Sequence, residues 1–150
     1  MVYYFAYGSN MSERQMDERI GIANYKFFSC GKLLGYELRF NKTPRNIENP
    51  KKGYANIEPK ENSVVEGIIF EIDSIAISKL DKYECVPEHY VRKQLIVNAL
   101  DKEILCEVYF AVKTRDGLKP EKVYLDRLLK GKVYLSEKYY KDLKSTSTID

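Results

Sequence analysis

Tryptophan is absent from this chain, and His89 is its only histidine. One histidine leaves no pair to hold a metal ion, and no Ser or Cys partner pattern surrounds it to suggest a triad. The three cysteines, Cys30, Cys85 and Cys106, are odd in number and widely spaced. Without a C-x-x-C they support neither a disulfide framework nor a zinc ribbon, and they read as small buried thiols of a reducing compartment. No apolar run approaches the roughly 20 residues that span a bilayer. No basic segment precedes the first apolar run, as a secretory signal requires, so the expected location is the cytosol. Both phosphate-binding glycine fingerprints are missing. Lysine and arginine outnumber acids by only 25 to 22. The two signs are interspersed, which argues against nucleic acid as a partner.

What the chain does have is 150 residues, 44% hydrophobic, and 13 tyrosines. That length supports a single domain over residues 1–150 with a real core. Each tyrosine brings apolar area and a hydroxyl that needs a partner, so they suit a wet sheet or a polar pocket.

Val2 to Tyr7 is β-branched and aromatic and reads as a buried strand. Gly8, Ser9 and Asn10 follow as turn residues, and Ser12 with Gln15 forms a capping-box pattern that starts a helix. A strand, a tight polar loop and a helix start leave backbone N–H groups facing a space where an anion can sit. An ordinary connection is the plainer reading of this loop taken alone.

Further on, Tyr36–Phe40 alternates as a half-exposed strand, and Asn41–Lys52 reads as a surface loop and candidate flap. Gly53–Glu58 is a strand that Pro59 stops, Lys60–Ser63 is a turn, and Val64–Ile72 is a second strand. Asp73 or Ser74 caps a helix over 75–84 that ends before Pro87. Tyr90–Ala99 and Glu103–Val112 form a hairpin. Pro120 opens a helix to Lys130 with Gly131 at its C-cap, Ser136 caps a last helix to Leu143, and residues 144–150 form a frayed tail. Strands outnumber helices and mostly follow one another. This predicts an α+β fold: a small, largely antiparallel β-barrel or curved sheet with flanking helices.

The sharpest chemical signal is Glu84. It shares one helix face with Ile77 and Leu80, while Asp81 and Lys82 fall on a solvated side. An acid on an apolar stripe, in the last turn of a helix, has a raised pKa. Such a glutamate is suited to general base chemistry near neutral pH. The alternative is a glutamate that leans to solvent or pairs with a nearby cation such as Arg92 or Lys93. Cys85 beside it reads as filler. Tyr109, in register with Leu105 and Ala111, and Tyr124, in register with Leu128, point inward by periodicity.

Taken together, Tyr3-Tyr4-Phe5-Ala6-Tyr7-Gly8-Ser9-Asn10-Met11 and Leu80-Asp81-Lys82-Tyr83-Glu84-Cys85-Val86 resemble the γ-glutamylcyclotransferases and the wider AIG2-like group. Gly53–Ile57 and Val65–Phe70 resemble the internal strands of that family. The resemblance runs from the first strand to the Tyr124–Gly131 helix. It implies a small barrel with flanking helices, and Glu84 as the general acid/base. It implies that Tyr7, Gly8, Ser9 and Asn10 hold the glutamyl head, with Tyr90, Tyr109 and Tyr124 around the pocket. The implied reaction releases 5-oxoproline from a γ-glutamyl compound without cofactor or metal. The leaving group could be an amino acid, an amine or an acylated carrier, and the alternative is a metabolite-binding protein of the same fold. The resemblance leaves a monomer and a homodimer equally open. One departure stands out: the family usually places glycine after the glutamate, and this chain has Cys85, which would be strained at positive φ.

Overall fold

The computed structural model describes residues 1–45 and 49–150. Five strands, β1 (Val2–Ala6), β2 (Tyr25–Lys42), β3 (Tyr54–Ile72), β4 (Tyr90–Ala99) and β5 (Lys102–Ala111), close into a barrel in the order β1-β3-β2-β4-β5. Neighbours are antiparallel except β1 and β5, which meet in parallel at Tyr4 and Glu107. Four helices flank it: α1 (Glu13–Ile20), α2 (Ser74–Tyr83), α3 (Lys122–Leu129) and α4 (Glu137–Lys144). This is the small, largely antiparallel barrel with flanking helices that the sequence predicts. Phe5, Leu33, Val65, Ile69, Val97 and Val108 are buried in the core. Among the described residues, no helix is long and apolar enough to cross a membrane.

The long ribbon departs from expectation. β3 does not stop at Pro59, which lies opposite Tyr36; the turn expected at Lys60–Ser63 is a bulge within the strand, whose four residues have no partner on β2 and include Asn62 at φ +62°. β1 pairs only with residues 68–72 of β3, so Pro59 lies where β3 has a neighbour on one side alone. A missing N–H costs little at such an edge. The register shift between Leu34 and Tyr36 sets the four residues Lys60–Ser63 of β3 opposite Gly35 alone, with Gly35 at φ +82° and Asn62 at φ +62°. The flap expected over Asn41–Lys52 falls partly on residues 46–48, outside the described residues. Its first two residues are not loop at all, because Asn41 and Lys42 complete β2 and are buried.

Other differences are local. Cys106 is buried as expected, but Cys30 is exposed and Cys85 is half-buried. Leu105 is exposed although its register mate Tyr109 is buried. Cys106 and Val108 fill the opposite, fully buried face of β5, and Tyr109 is covered because Asp81 of α2 and the ring of Tyr4 close over it. Gly131 has an ordinary φ of −77°; an added Cβ there would sit 2.9 Å from the Met11 sulfur, so space rather than handedness selects glycine. The tail does not fray. The Ile149 N–H donates to the Pro120 carbonyl, and the Asp150 carboxylate accepts from the Lys122 N–H at the start of α3.

Candidate active site

β1 delivers Tyr7 to the barrel rim, where Ser9–Met11 forms one 3-10 turn. Its first hydrogen bond is Met11 N–H to Gly8 O, so the N–H groups of Ser9 and Asn10 have no partner within the turn. Gly8 does not use positive φ. It serves close approach: an added Cβ would lie 3.2 Å from the Ala55 Cβ and 3.7 Å from the Tyr124 hydroxyl. Ser12 caps α1 by accepting from the Gln15 N–H, as the capping pattern predicts. The Gln15 amide, however, reaches the loop instead of the cap. It donates to Ser9 Oγ at 2.7 Å and to Asn10 Oδ1 at 2.8 Å. The loop is thereby locked from behind.

Glu84 is the C-cap of α2, and the helix exit explains its position. Cys85 N–H donates to Lys82 O, and Val86 N–H donates to Asp81 O. This is the Schellman pair of bonds, with Cys85 as the left-handed residue at φ +52°. The motif normally uses glycine, so Cys85 carries the strain expected of a side chain there. The turn nevertheless forms, and Glu84 remains half-buried.

Tyr7, Gly8, Ser9, Asn10, Glu84, Tyr90, Tyr109 and Tyr124 all line one chamber of about 40 Å³, joined by Tyr4 and Ala55. Every residue that the sequence analysis singled out for the site is therefore brought to one place. The tyrosine hydroxyls are held. Tyr7 donates to Tyr109 O at 2.6 Å, Tyr90 donates to Ala55 O at 2.8 Å, and Ala55 N–H donates to the Tyr124 hydroxyl at 3.0 Å. Burial pushes the pKa of all four upward, so each is a neutral wall group in the working range of pH.

Glu84 is held differently from either alternative drawn from sequence. Its partner is neither Arg92 nor Lys93 but Arg19 of α1, whose guanidinium lies 3.3 Å from Oε1. The Asn10 amide donates to the same oxygen at 3.5 Å and to the Tyr4 hydroxyl at 2.9 Å. Burial raises the Glu84 pKa, while Arg19, Arg45 and Lys42 pull it down; burial prevails. Arg92 is occupied by Asp81 in a bidentate pair at 2.9 and 3.0 Å and by Glu107 at 3.2 Å. Asp81 is thus not a solvated residue, since it also accepts from the Tyr109 hydroxyl at 2.7 Å.

Sequence reading missed Arg19, Gln15, Tyr4 and Asp81. Gln15 and Arg19 lie four apart and so share a face of α1, but nothing local says what that face meets. The chamber opens into a vestibule of about 360 Å³ that shares Ser9, Glu84, Tyr90 and Tyr124 with it. His89 does not reach the chamber; its Nδ1 accepts from the Lys42 ammonium at 2.9 Å. Among the described residues, no cluster of three His, Cys, Asp or Glu could hold a metal ion.

Comparison with known proteins bears on the fold and the family. A solved gamma-glutamyl cyclotransferase superposes with a TM-score of 0.88 at 24% identity, covering 99% of this chain and 89% of the other. A Homo sapiens protein solved as uncharacterised gives a TM-score of 0.88 at 25% identity, with the same coverage. A yeast gamma-glutamyl cyclotransferase described as specific to glutathione gives 0.64 at 12% identity, covering 95% and 93%. Among curated proteins, none matches the chain in sequence. The model of one family, described as gamma-glutamyl cyclotransferase, AIG2-like, matches residues 4–135, most of the chain. With that match, and the barrel common to these structures, the chain belongs to the gamma-glutamyl cyclotransferase, AIG2-like family.

Proposed function

We propose that this protein converts a γ-glutamyl compound into 5-oxoproline and a free amine, with Glu84 as the acid/base. The observation that carries the reading is a half-buried carboxylate with a raised pKa, set across one small chamber from a loop whose Ser9 and Asn10 N–H groups have no partner within its turn. The substrate supplies its own nucleophile. Its α-ammonium gives a proton to the Glu84 carboxylate, and the freed amine attacks the γ-carbonyl carbon. A five-membered ring closes through a new C–N bond, leaving an oxyanion. The oxyanion collapses and the original amide C–N bond breaks; Glu84 gives its proton to the departing nitrogen and takes the second proton of the ring nitrogen, which then leaves with the amine as an ammonium.

Attack within one molecule needs folding of the substrate rather than capture of a second reactant. The narrow chamber and the tyrosine walls suit that task. The Ser9 and Asn10 N–H groups suit the α-carboxylate, and they or a tyrosine hydroxyl suit the oxyanion. Asn10 holds the carboxylate, and Arg19 keeps part of it ionised. The glutamyl head would fill the chamber, and the leaving group would extend into the vestibule. The intact Schellman bonds around Cys85 favour this reading over a pocket that binds metabolites without reacting.

The test is release of 5-oxoproline from a panel of γ-glutamyl amino acids and amines, run on wild type and Glu84→Gln together. Wild type should turn over at least one member. A Glu84→Gln variant that retains near-normal rates would defeat the assignment of Glu84.

A further inference from the structure

The vestibule beside Glu84 is lined by five cationic side chains, Arg19, Lys42, Arg45, Lys52 and Arg127, and, among the described residues, Glu84 is its one acid. Two of the five have carboxylate partners. Arg19 pairs with Glu84 at 3.3 Å, and Lys52 pairs with Glu121 at 2.5 Å. Among the described residues, no carboxylate pairs with Lys42 or Arg127.

Lys42 is the unusual member. It is 2% exposed, and its ammonium is held by the His89 ring nitrogen and by the faces of Tyr54 and Tyr90, at 5.5 and 5.6 Å. A buried ammonium without a direct anionic partner is costly: burial and Arg45 bring its pKa down to about 8 against the pull of Glu84, and a lone histidine and two rings offset little of that cost. Lys52 adds a second ammonium at 5.3 Å from the Tyr54 ring. A concave site with walls of one sign concentrates the field and favours an occupant of the opposite sign.

We propose that the leaving group of the γ-glutamyl substrate is an amine carrying anionic groups beyond the one carboxylate of a simple amino acid. The vestibule cations Lys42, Lys52 and Arg127 bind those groups. The inference rests on the reading of the chamber as a γ-glutamyl site, because that reading places the leaving group in the vestibule. A neutral leaving group would leave Lys42 and Arg127 without counter-charge, and a cationic one would be repelled. The shared chemistry is anionic, and carboxylate and phosphate are its two sources.

Four γ-glutamyl amides separate the cases: those of L-glutamate, O-phosphoethanolamine, n-propylamine and 1,3-diaminopropane. The expected order of kcat/KM is the anionic pair first, at least about tenfold above the neutral amide, and the cationic amide last. The anionic advantage should shrink as salt rises. The better of the two anionic amides names the source. Arg127→Gln, at an exposed helix position, and Lys52→Gln should each lower the anionic-to-neutral ratio severalfold. Equal rates for all four amides, preference for the cationic one, or a γ-glutamyl-L-alanine turned over as fast as the anionic pair, would overturn the inference and leave the cyclisation reading standing.

Calorimetric titration of free L-glutamate, O-phosphoethanolamine and n-propylamine keeps the inference testable if no amide is turned over. Tighter binding of the anions, weakened in Arg127→Gln, supports an anion site. Failure of both anions to bind more tightly than n-propylamine overturns it.

Discussion

A wide groove and the chamber at Glu84 lie in different places. A groove of about 690 Å³ runs beside α4, lined by residues such as Glu37, Arg39, Glu66 and Tyr139. Its charges neutralise one another. Arg39 pairs with Glu58, Glu37 with Lys60, Lys138 with Asp142, and Glu66 accepts from the Ser136 N–H and hydroxyl. The chamber at Glu84 is more than tenfold smaller, yet it gathers a carboxylate of raised pKa, a locked polar loop and five tyrosines. Size measures where a ligand could rest. A perturbed acid with an asymmetric set of neighbours marks where a proton could move.

The strongest way to break this comparison is to remove one carboxylate from each region. Glu84→Gln should lower 5-oxoproline release by about 10² to 10⁴-fold, the usual worth of a positioned acid/base. Glu37→Gln in the groove should leave it unchanged. A stability measurement sharpens the same contrast. The folded-state pKa of Glu84 is raised, so the folded protein holds that proton more tightly than the unfolded chain. The resulting stabilisation is full below the ordinary glutamate pKa and is lost as pH rises through the folded value. Glu84→Gln should remove that decline, so the melting temperature of wild type should fall relative to the variant across this window.

Asp81 tests whether the other carboxylate of α2 supports the chamber from outside. It binds Arg92 through two bonds and accepts from Tyr109. Asp81→Asn should cost about 2 kcal/mol in urea unfolding, the scale of a lost charge-assisted bond in a half-buried site. Arg39→Gln, whose pairs are exposed, should cost about 0.5 kcal/mol or less.

Arg19→Gln probes the tuning of Glu84. Arg19 lowers the Glu84 pKa against burial, so its loss moves that pKa further up. The acid limb of the kcat/KM profile should shift to higher pH, with a roughly tenfold loss at neutral pH. A loss without a shift of the limb would mean that Arg19 only holds shape.

These variants divide along the line between what was legible in sequence and what was not. The strand-loop-helix at Tyr7–Asn10 and the buried-face Glu84 could be read from local chemistry and spacing. That they share a chamber rested on resemblance. Arg19 and Gln15 were illegible, since a polar pair on a short helix looks like any solvated face until α1 packs against α2. Asp81 failed for the same reason: its neighbours Arg92 and Tyr109 come from β4 and β5, distant in sequence. Pro59 misled because its cost depends on whether β3 has a second neighbour, which only barrel topology decides. Lys42 was assigned to a loop because lysine and the prolines after it look solvated, whereas β2 carries it into the barrel wall.

The smallest expected effect concerns the residue after Glu84. Cys85 occupies a left-handed position, at φ +52°, that its Schellman bonds demand. A side chain there costs about 1 to 2 kcal/mol, and glycine removes that cost. Glycine also adds freedom to the unfolded chain, which returns about 0.5 to 1 kcal/mol of the gain. The half-buried thiol gives up some packing as well. The balance favours Cys85→Gly by about 0.5 kcal/mol, or roughly 1 to 2 °C in a domain of this size. Cys85→Ala separates the causes, since it loses the thiol and keeps the strain, and it should be neutral or slightly destabilising. If alanine stabilises as much as glycine, the thiol and not the backbone is the source. If glycine also leaves 5-oxoproline release unchanged, the cysteine at this turn is a matter of stability alone, and Glu84 is held in place by the hydrogen bonds around it.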